Sequence, residues 1–455
     1  MLKLLVISPH FAPTNAPDMQ RIRLLLPHLE SAGVEATVLA VSPDCVDFPE
    51  EDWLCSAIPP RQEIHRVSAL GEPWRKLPGL GSLATRAYRS LQKKGNELLR
   101  TRSFDIVYFS TTQFGIHLLG PYWKSKFGVP FVMDFQDPWV NNYYRENPDI
   151  TPPGGRLKFA MADRFNRIAE PKVIGECAGI TCVSAAYPEM LRDRYPETKF
   201  LEWSEGSPSC EVSCPTLTIP FPFDIEDSGK DRPSSAQSVF DPNDGCTHWF
   251  HAGRCTGSME KSLRALFDAF AKIQTSEPER FDSVRIHFVG TQYHADLSSD
   301  SLIMKLAREY RLRETVSEHP ERIPYSEVLR CLDDADLLLG PGSDDPGYSA
   351  SKIFPYLLSE TPALLVFHEK SPIIQLSREA GGSVAVPFRN DEATGDISHR
   401  ILQRFDGSAE SIRVPVNSTA LEPYSAVFQA RLLAHFFDQC CRLHQNHRNE
   451  VALTS

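Results

Sequence analysis

Residues 2–41 read LKLLVISPHFAPTNAPDMQRIRLLLPHLESAGVEATVLAV, and this stretch contains one complete β-loop-α-β unit. The apolar run at 2–7 is typical of a buried parallel strand. A loop at 8–18 follows, and a helix is predicted at 19–32 because its apolar residues recur on one face. A second strand is predicted at 36–41. The unit therefore predicts the start of a doubly wound α/β sheet.

The same alternation of strands and helices continues along the 455 residues. Further strands are predicted at 106–110, 131–135, 180–183, 249–252, 286–289, 337–339, 363–367 and 383–386, and helices at 114–127 and 158–177. Because a chain of this length exceeds one compact core, we expect two Rossmann-like domains. The predicted segments are an amino-terminal domain at 1–224, a linker at 225–246, a second domain at 247–424 and a final helix at 425–447.

The composition argues against several classes of protein. The net charge is −11, which argues against a dedicated nucleic-acid binder. The 11 cysteines form no C-x-x-C pair, so we expect reduced thiols, a cytoplasmic location and no metal site. The first apolar run is broken by Pro9 and Pro13, and no stretch approaches the ~20 apolar residues of a membrane span. Neither a secretory signal nor a spanning helix is expected.

The stretch FHAGRCTGSMEK at 250–261 carries the clearest sign of function. A strand end is followed by Gly253 and Arg254, and Lys261 stands at the start of a helix predicted at 262–273. A helix amino terminus offers unpaired N–H groups, and the two cations add full charges. The spacing predicts a diphosphate site. The alternative is that both cations flank an ordinary βα turn on the surface.

A second feature is a basic segment between Arg75 and Arg102, which holds eight Lys or Arg residues and one acid, Glu97. Its apolar residues recur at helical spacing: Leu80, Leu83, Ala84, Ala87, Leu91 and Leu98. Such a helix suits an anionic membrane surface or a lipid-linked acceptor, with peripheral attachment to the inner face of the membrane. The alternative is a solvated helix that packs its leucines on the domain.

Several segments occur together in a familiar order. They are LLVISPHFAP at 4–13 with Arg21, GVEATVL at 33–39, GVPFVMDFQDPW at 128–139, AEPKVIGECAGITCVS at 169–184, AGR at 252–254 with Lys261, IHFVG at 286–290, ADLLLG at 335–340 and SKIFPYL at 351–357. Over most of its length the chain resembles the retaining nucleotide-sugar glycosyltransferases of family 4 (group 1), which have the GT-B fold. The resemblance implies two Rossmann-like domains that face each other across a cleft, with the last helix crossing back to the first domain.

The resemblance also implies an activity. A sugar passes from a nucleoside-diphosphate sugar to a polysaccharide, glycan or lipid-linked acceptor, with retention of configuration and without a metal or other cofactor. The implied partners are a nucleotide sugar, such an acceptor and an anionic membrane surface, but no nucleic acid. The retaining route uses the leaving phosphate itself as the base, and Arg254 and Lys261 would neutralise that diphosphate.

The implied site residues fall into four groups. The donor phosphates would lie against Gly253, Arg254, Lys261, Ser351 and Lys352. The donor sugar and base would lie against Gly290, Ile323, Tyr325, Asp344 and Asp345. The acceptor side would include Phe11, Asn15, Arg21 and Trp139, and the catalytic loop would supply Gln136 and Asp137.

The chain departs from the family's pattern at the carboxylates. Two glutamates that members usually carry fall here on Gly347 and Pro355, so Asp344 or Asp345 would have to hold the sugar. Gln136 stands where many members have a histidine; Gln can hydrogen-bond a hydroxyl but cannot act as acid or base. These departures favour an alternative, a non-catalytic GT-B protein that binds a nucleotide sugar or a protein partner. A sugar-nucleotide epimerase is a third reading, which the AGR…K and DFQDPW segments argue against.

Overall fold

The computed structural model describes residues 1–75, 81–142, 145, 155–205, 214–224, 236–292, 301–346, 348 and 353–454. The strands are β1 (Leu2–Ile7), β2 (Val34–Val41), β3 (Glu63–Val67), β4 (Ile106–Phe109), β5 (Phe131–Phe135), β6 (Gly179–Cys182), β7 (Phe200–Glu202), β8 (Cys214–Thr218), β9 (Thr247–Ala252), β10 (Val284–Val289), β11 (Val316–His319), β12 (Leu337–Pro341), β13 (Ala363–His368) and β14 (Ser383–Phe388).

The helices of the first half are α1 (Gln20–Leu29), α2 (Glu72–Arg75), α3 (Leu83–Thr101), α4 (Leu119–Phe127), α5 (Arg156–Ile174) and α6 (Ala186–Arg194). Those of the second half are α7 (Glu260–Ser276), α8 (Pro278–Phe281), α9 (Leu302–Glu309), α10 (Tyr325–Asp334), α11 (Ile353–Leu358), α12 (Pro372–Ala380), α13 (Thr394–Leu402), α14 (Ser418–Leu421) and α15 (Ala426–Thr454). The chain divides into two units, Met1–Asp224 with Tyr424–Ser455, and Ile225–Pro423.

The first unit is built on a parallel sheet with the strand order β3-β2-β1-β4-β5-β6-β8-β7. Successive residues of β1 point to opposite faces of the sheet. Leu5 and Ile7 pack with α3 on one face, whereas Leu4 and Val6 pack with α1 and α15 on the other. Helices on both faces explain why these strands are almost wholly apolar. The order reverses between β1 and β4, so the loops after these two strands diverge there.

The second unit repeats this plan with the order β11-β10-β9-β12-β13-β14, again with parallel pairs throughout. Its core contains Trp249 of β9 and Phe267 and Phe270 of α7, and the Trp249 and Phe270 ring centroids lie 4.9 Å apart. The order reverses between β9 and β12. The fold class predicted from the sequence, two Rossmann-like doubly wound domains, is confirmed.

The last helix belongs to the first unit. The ring centroids of Phe437 in α15 and Tyr108 in β4 lie 5.0 Å apart, and Phe436 and Cys440 of α15 are fully buried beside β6. The described part of the chain thus places α15 on the first sheet. The residues of the predicted linker from 225 to 235 lie outside the described residues, so the predicted linker bounds stay a prediction.

This packing gives a direct prediction at Gly179 in β6. A Cβ atom added there would lie 2.6 Å from the Sγ of Cys440 and 3.0 Å from the ring of Phe436. We expect Gly179→Ala to destabilise the protein by about 1–3 kcal/mol through overpacking and to lower Tm by about 2–10 °C. Gly257→Ala is the control, since a Cβ there meets nothing within 4 Å. Cys440→Ala should partly rescue the Gly179 variant; an unchanged Tm in Gly179→Ala would show that α15 does not pack on β6.

The basic segment matches the alternative reading, in which its apolar residues pack on the domain. Leu83, Ala87, Leu91 and Leu98 of α3 are buried in the core beneath the first sheet. Leu80 of the predicted stripe lies outside the described residues. The apolar residues of α3 that were expected to meet a membrane are therefore buried in the core. Among the helices of the described ranges, none combines the length and the apolar character that a membrane crossing requires.

Candidate functional site

The switch point of the first sheet holds a buried carboxylate, Asp18. Its loop follows β1, and it accepts hydrogen bonds from the Thr111 hydroxyl at 2.9 Å and the Thr112 backbone N–H at 3.1 Å, both in the loop after β4. The Nδ1 of His10 lies 2.7 Å from its other oxygen. Burial raises the pKa of Asp18, but the nearby His10 and these hydrogen bonds outweigh burial and hold the pKa below its usual value.

The ionised Asp18 fixes the orientation of the His10 ring. A carboxylate can only accept, so Nδ1–H donates to it and the lone pair of a neutral imidazole is on Nε2. In the described part of the chain Nε2 makes no hydrogen bond, and the ring packs edge-on against Phe48 at 5.1 Å. An imidazole oriented in this way by a buried carboxylate can accept a proton from a hydroxyl.

Arg21, Asp134 and Gln136 form a second group of buried polar side chains, next to the pair of His10 and Asp18. The Nε of Arg21 lies 2.8 Å from the Oδ2 of Asp134 in β5, and both side chains are fully buried. The Nε2 of Gln136 donates to the same Oδ2 at 2.8 Å and lies 3.1 Å from the backbone oxygen of Asp18. These acceptors fix the orientation of the amide. The Oε1 of Gln136 is buried without a hydrogen-bond partner among the described residues, so it is an unused acceptor.

The predicted acceptor-side residues are placed differently from that expectation. Phe11, Arg21 and Trp139 are at most 2 % exposed. Trp139 stacks on Phe114 at 5.6 Å, and Phe11 belongs to the core under β1. All three side chains are buried inside the first unit: Phe11 packs on one face of the sheet, Trp139 packs on the other, and Arg21 pairs with Asp134. Asn15 is half-buried, and Asp137 is exposed just after β5.

Sequence reasoning missed His10 and Asp18. Both lie in the predicted loop at 8–18, and the available signal was a histidine and an acid following a strand end.

The switch point of the second sheet lies where β9 and β12 end. Gly253 follows β9 with φ 143°, a value that favours glycine, and its N–H donates to the oxygen of Val289 at 2.7 Å. After a short 3-10 turn α7 begins, and its cap residue Met259 makes no side-chain hydrogen bond to the helix. The loop after β12 joins this amino end, since the N–H of Asp344 donates to the oxygen of Ser258 at 2.8 Å. The N–H groups of Met259 and Glu260 donate to the oxygens of Thr256 and Gly257, so the helical segment that stands at the reversal of strand order begins with this turn.

The two predicted phosphate cations lie at this edge. Arg254 is exposed and lines a small cavity of about 30 Å³ together with His251, Tyr348 and Tyr356. Lys261, in the first turn of α7, donates from Nζ to the backbone oxygen of Glu392 at 2.6 Å. The cavity is the size of a water molecule, so a nucleotide would have to occupy the open edge outside it.

The predicted sugar-binding acids lie beside the helix start. Asp344 is half-buried, and burial raises its pKa above the usual value. Its backbone oxygen accepts from the Nδ2 of Asn390 at 2.9 Å, which joins the loop after β14 to the loop after β12. Asp345 is exposed, and its N–H donates to the hydroxyl of Ser343 at 3.1 Å. The structure therefore brings Asp344 and the α7 start together.

Three further predicted donor residues lie within the described ranges: Gly290 follows β10, and Ile323 and Tyr325 follow β11. Gly290 has φ 68° after β10, and its N–H donates to the oxygen of His319 at the end of β11. A Cβ there would lie 3.8 Å from Arg322, so Gly290 adjoins the loop that holds Ile323 and ends at Tyr325. Ser351, Lys352 and Gly347 lie outside the described residues, and Pro355 is half-buried in α11. Within the described ranges, no group of three or more His, Cys, Asp or Glu side chains is placed to hold a metal ion.

Comparison with known proteins gives similarity in structure only. No protein-family model matches the chain, and no curated protein matches it. A UDP-forming α,α-trehalose-phosphate synthase from Burkholderia xenovorans matches with a TM-score of 0.59 and 12% identity, over 98% of this chain and 99% of that chain. HepE of Anabaena, in complex with UDP and glucose, matches with a TM-score of 0.53 and 13% identity, over 99% of this chain and 100% of that chain.

A third match is the amino-terminal domain of trehalose-6-phosphate phosphatase from Candida albicans, with a TM-score of 0.52 and 15% identity, over 98% of this chain and 96% of that chain. A synthase, a protein in complex with UDP and glucose and a phosphatase domain thus share the fold, which does not by itself define a reaction. At these identities the likeness shows the fold alone: the chain has the GT-B fold, with two Rossmann-like domains.

Proposed function

We propose that the protein transfers a sugar from a nucleoside-diphosphate sugar to a hydroxyl group of a glycan or lipid-linked acceptor. The observation that carries the proposal is the helix start at the switch point of the second sheet, with Arg254 in the loop before it and Lys261 in the first turn of α7. A helix amino terminus and two cations suit a diphosphate, both bound and as a leaving group. The complex of HepE with UDP and glucose supports a UDP sugar among the candidate donors.

On the donor side, Asp344 is proposed to accept hydrogen bonds from the sugar, with Asp345 as its neighbour. Asp344 is the better candidate because its backbone is tied to Ser258 at the start of α7. A sugar held by Asp344 would therefore lie next to a diphosphate held at that helix start. Neither role requires a metal, because the cations and the helix dipole supply the positive charge.

On the acceptor side, the first unit offers two atoms that can still accept a hydrogen bond. The Oε1 of Gln136 accepts no hydrogen bond in the described part of the chain, so it suits an incoming hydroxyl. The Nε2 of His10 suits the proton of such a hydroxyl. In the retaining route proposed here, the acceptor oxygen bonds to the anomeric carbon, the bond from that carbon to phosphate breaks, and the phosphate oxygen takes the proton. This route needs no side chain as the base.

A ligand screen tests the proposal. We expect UDP, GDP or ADP sugars to raise Tm, since a ligand at about 100 times its Kd stabilises the folded state by about 2.7 kcal/mol. Binding without turnover would instead favour a non-catalytic protein of the same fold, the alternative suggested by Gly347 and Pro355 in place of the two glutamates. If no nucleotide sugar shifts Tm, the donor-site proposal fails.

A prediction at Asp344 follows from its burial. We expect Asp344→Asn to lower turnover by about 10–100-fold, the loss of one hydrogen bond to a charged acceptor. Because burial raises the pKa of this carboxyl, the wild-type rate should fall on acidification at a pH above the usual range for Asp. The variant should lack that step in its pH profile. Asp282→Asn, an exposed change at the opposite edge of the sheet, is the control; full activity in Asp344→Asn would remove this residue from the sugar site.

A further inference from the structure

Helix α5 (Arg156–Ile174) carries an exposed apolar stripe. Leu157, Met161, Phe165 and Ile168 are 79%, 55%, 49% and 52% exposed, respectively. At about 100° per residue these four side chains fall within about 80° of the helix circumference. Large apolar side chains exposed as a continuous row mark a contact surface more often than isolated ones do.

The stripe is not the face by which α5 packs on the protein. Ala169, Val173 and Ile174 form that face and are buried in the core beneath the first sheet. Asn166 also anchors it, since its Oδ1 accepts from the indole N–H of Trp139 at 3.1 Å. The helix therefore has one apolar face in the core and a second one in solvent, and the fold does not require the second.

The acidic and the basic residues of α5 also differ in their exposure. Its two acids point inward: Asp163 pairs with Arg167 at 3.0 Å and Glu170 with Arg194, and both carboxylates are buried. Its exposed charged residues are all basic, namely Arg156, Lys158, Arg164 and Lys172. On α5 itself the exposed charges that border the stripe are thus positive, on a chain whose net charge is −11.

We infer that the α5 stripe binds the surface of an anionic lipid bilayer. Apolar side chains flanked by Lys and Arg suit the boundary between headgroups and acyl chains, where the apolar row is buried and the cations meet lipid phosphates. A second copy of this chain is the less suitable occupant, because a symmetric contact would bring the basic borders of two α5 helices together. The inference is independent of the transferase activity, and it locates the membrane contact on α5, not on α3.

Vesicle flotation of the full chain tests it. We expect binding to phosphatidylcholine vesicles that contain about 30% phosphatidylglycerol, little binding to phosphatidylcholine alone, and loss of binding between about 0.05 M and 0.5 M salt. Phe165→Ser/Ile168→Ser should reduce the partition coefficient at least about tenfold, and Arg164→Glu/Lys172→Glu at least about 25-fold at low salt.

Two matched variants serve as controls. Val427→Ser/Phe428→Ser removes two other exposed apolar residues, and Arg89→Glu/Lys93→Glu reverses two exposed charges on α3. Both should bind vesicles as the wild type does, and all four variants should keep its Tm. The inference is overturned if the wild type fails to bind anionic vesicles at low salt, or if the α3 variant loses binding as fully as the α5 variants. It is equally overturned if Phe165→Ser/Ile168→Ser converts a dimer to a monomer in light scattering and leaves vesicle binding unchanged.

Discussion

The double variant Arg254→Ala/Lys261→Ala is expected to weaken nucleoside-diphosphate binding by about 3–6 kcal/mol, since each cation contributes about 1.5–3 kcal/mol through charge-assisted hydrogen bonds. This is a loss of at least about a hundredfold in affinity. Lys261→Ala also removes a hydrogen bond to the backbone oxygen of Glu392, so a small change in Tm is expected from that variant. Isothermal titration with the nucleoside diphosphate identified by the screen measures the effect.

The matched control lies on the same helix. Lys272 in α7 is half-exposed and pairs with Asp268 at 2.7 Å, three turns away from the helix start. Lys272→Ala should bind the nucleotide as the wild type does. If the double variant also binds normally, Arg254 and Lys261 are surface cations of an ordinary βα turn and the donor site lies elsewhere.

Arg21→Met is expected to destabilise the first unit by about 3–5 kcal/mol, because it leaves the buried carboxylate of Asp134 without its counter-ion. The side chain also donates to the backbone oxygen of Ile219 at 2.8 Å, and its guanidinium lies 5.2 Å from the ring centroid of Phe221. Arg21→Lys should have an intermediate effect, since an ammonium group cannot reach the carboxylate and the carbonyl together. Urea unfolding followed by tryptophan fluorescence measures both.

Two comparisons make this prediction specific. Arg89→Met, on the surface of α3, should change stability by less than about 0.5 kcal/mol. Arg21→Met/Asp134→Leu should be more stable than Arg21→Met, because it removes the unpaired charge. If Arg21→Met unfolds at the wild-type urea concentration and yet loses turnover, Arg21 contacts the acceptor, as the resemblance implied.

The central strands of both sheets were predictable because each is a short apolar run buried on both faces. The strands without a prediction lie at or near the edges. In β3 the sequence EIHRV alternates polar and apolar residues, and all five are half-buried. In β8 the sequence CPTLT falls in a Pro- and Ser-rich stretch that resembles a loop by composition. Edge strands bury less apolar surface, so their sequence signal is weaker.

The candidate site was predictable only where one local segment defines it. Gly253, Arg254 and Lys261 lie within one βα turn, so their place between the end of β9 and the first turn of α7 follows from the local sequence, and their role stays a prediction. The contact of Asp18 with Thr111 depends on β1 lying beside β4, and that neighbour relation arises from the strand order of the whole sheet. A charged residue such as Arg21 suggests a contact with a ligand. Its partner Asp134 is far away in sequence, so the local sequence does not reveal the buried ion pair.

A turnover assay tests directly whether the protein transfers a sugar. The donor selected by the thermal screen is incubated with glycan and lipid-linked acceptors, free nucleoside diphosphate is quantified, and the anomeric configuration of the product is read by NMR. We expect release of one nucleoside diphosphate per sugar transferred, a product with retained configuration, and loss of both signals in Arg254→Ala/Lys261→Ala. An inverted product would contradict the retaining route. Nucleotide-sugar binding with no release under any acceptor would contradict the transferase function itself.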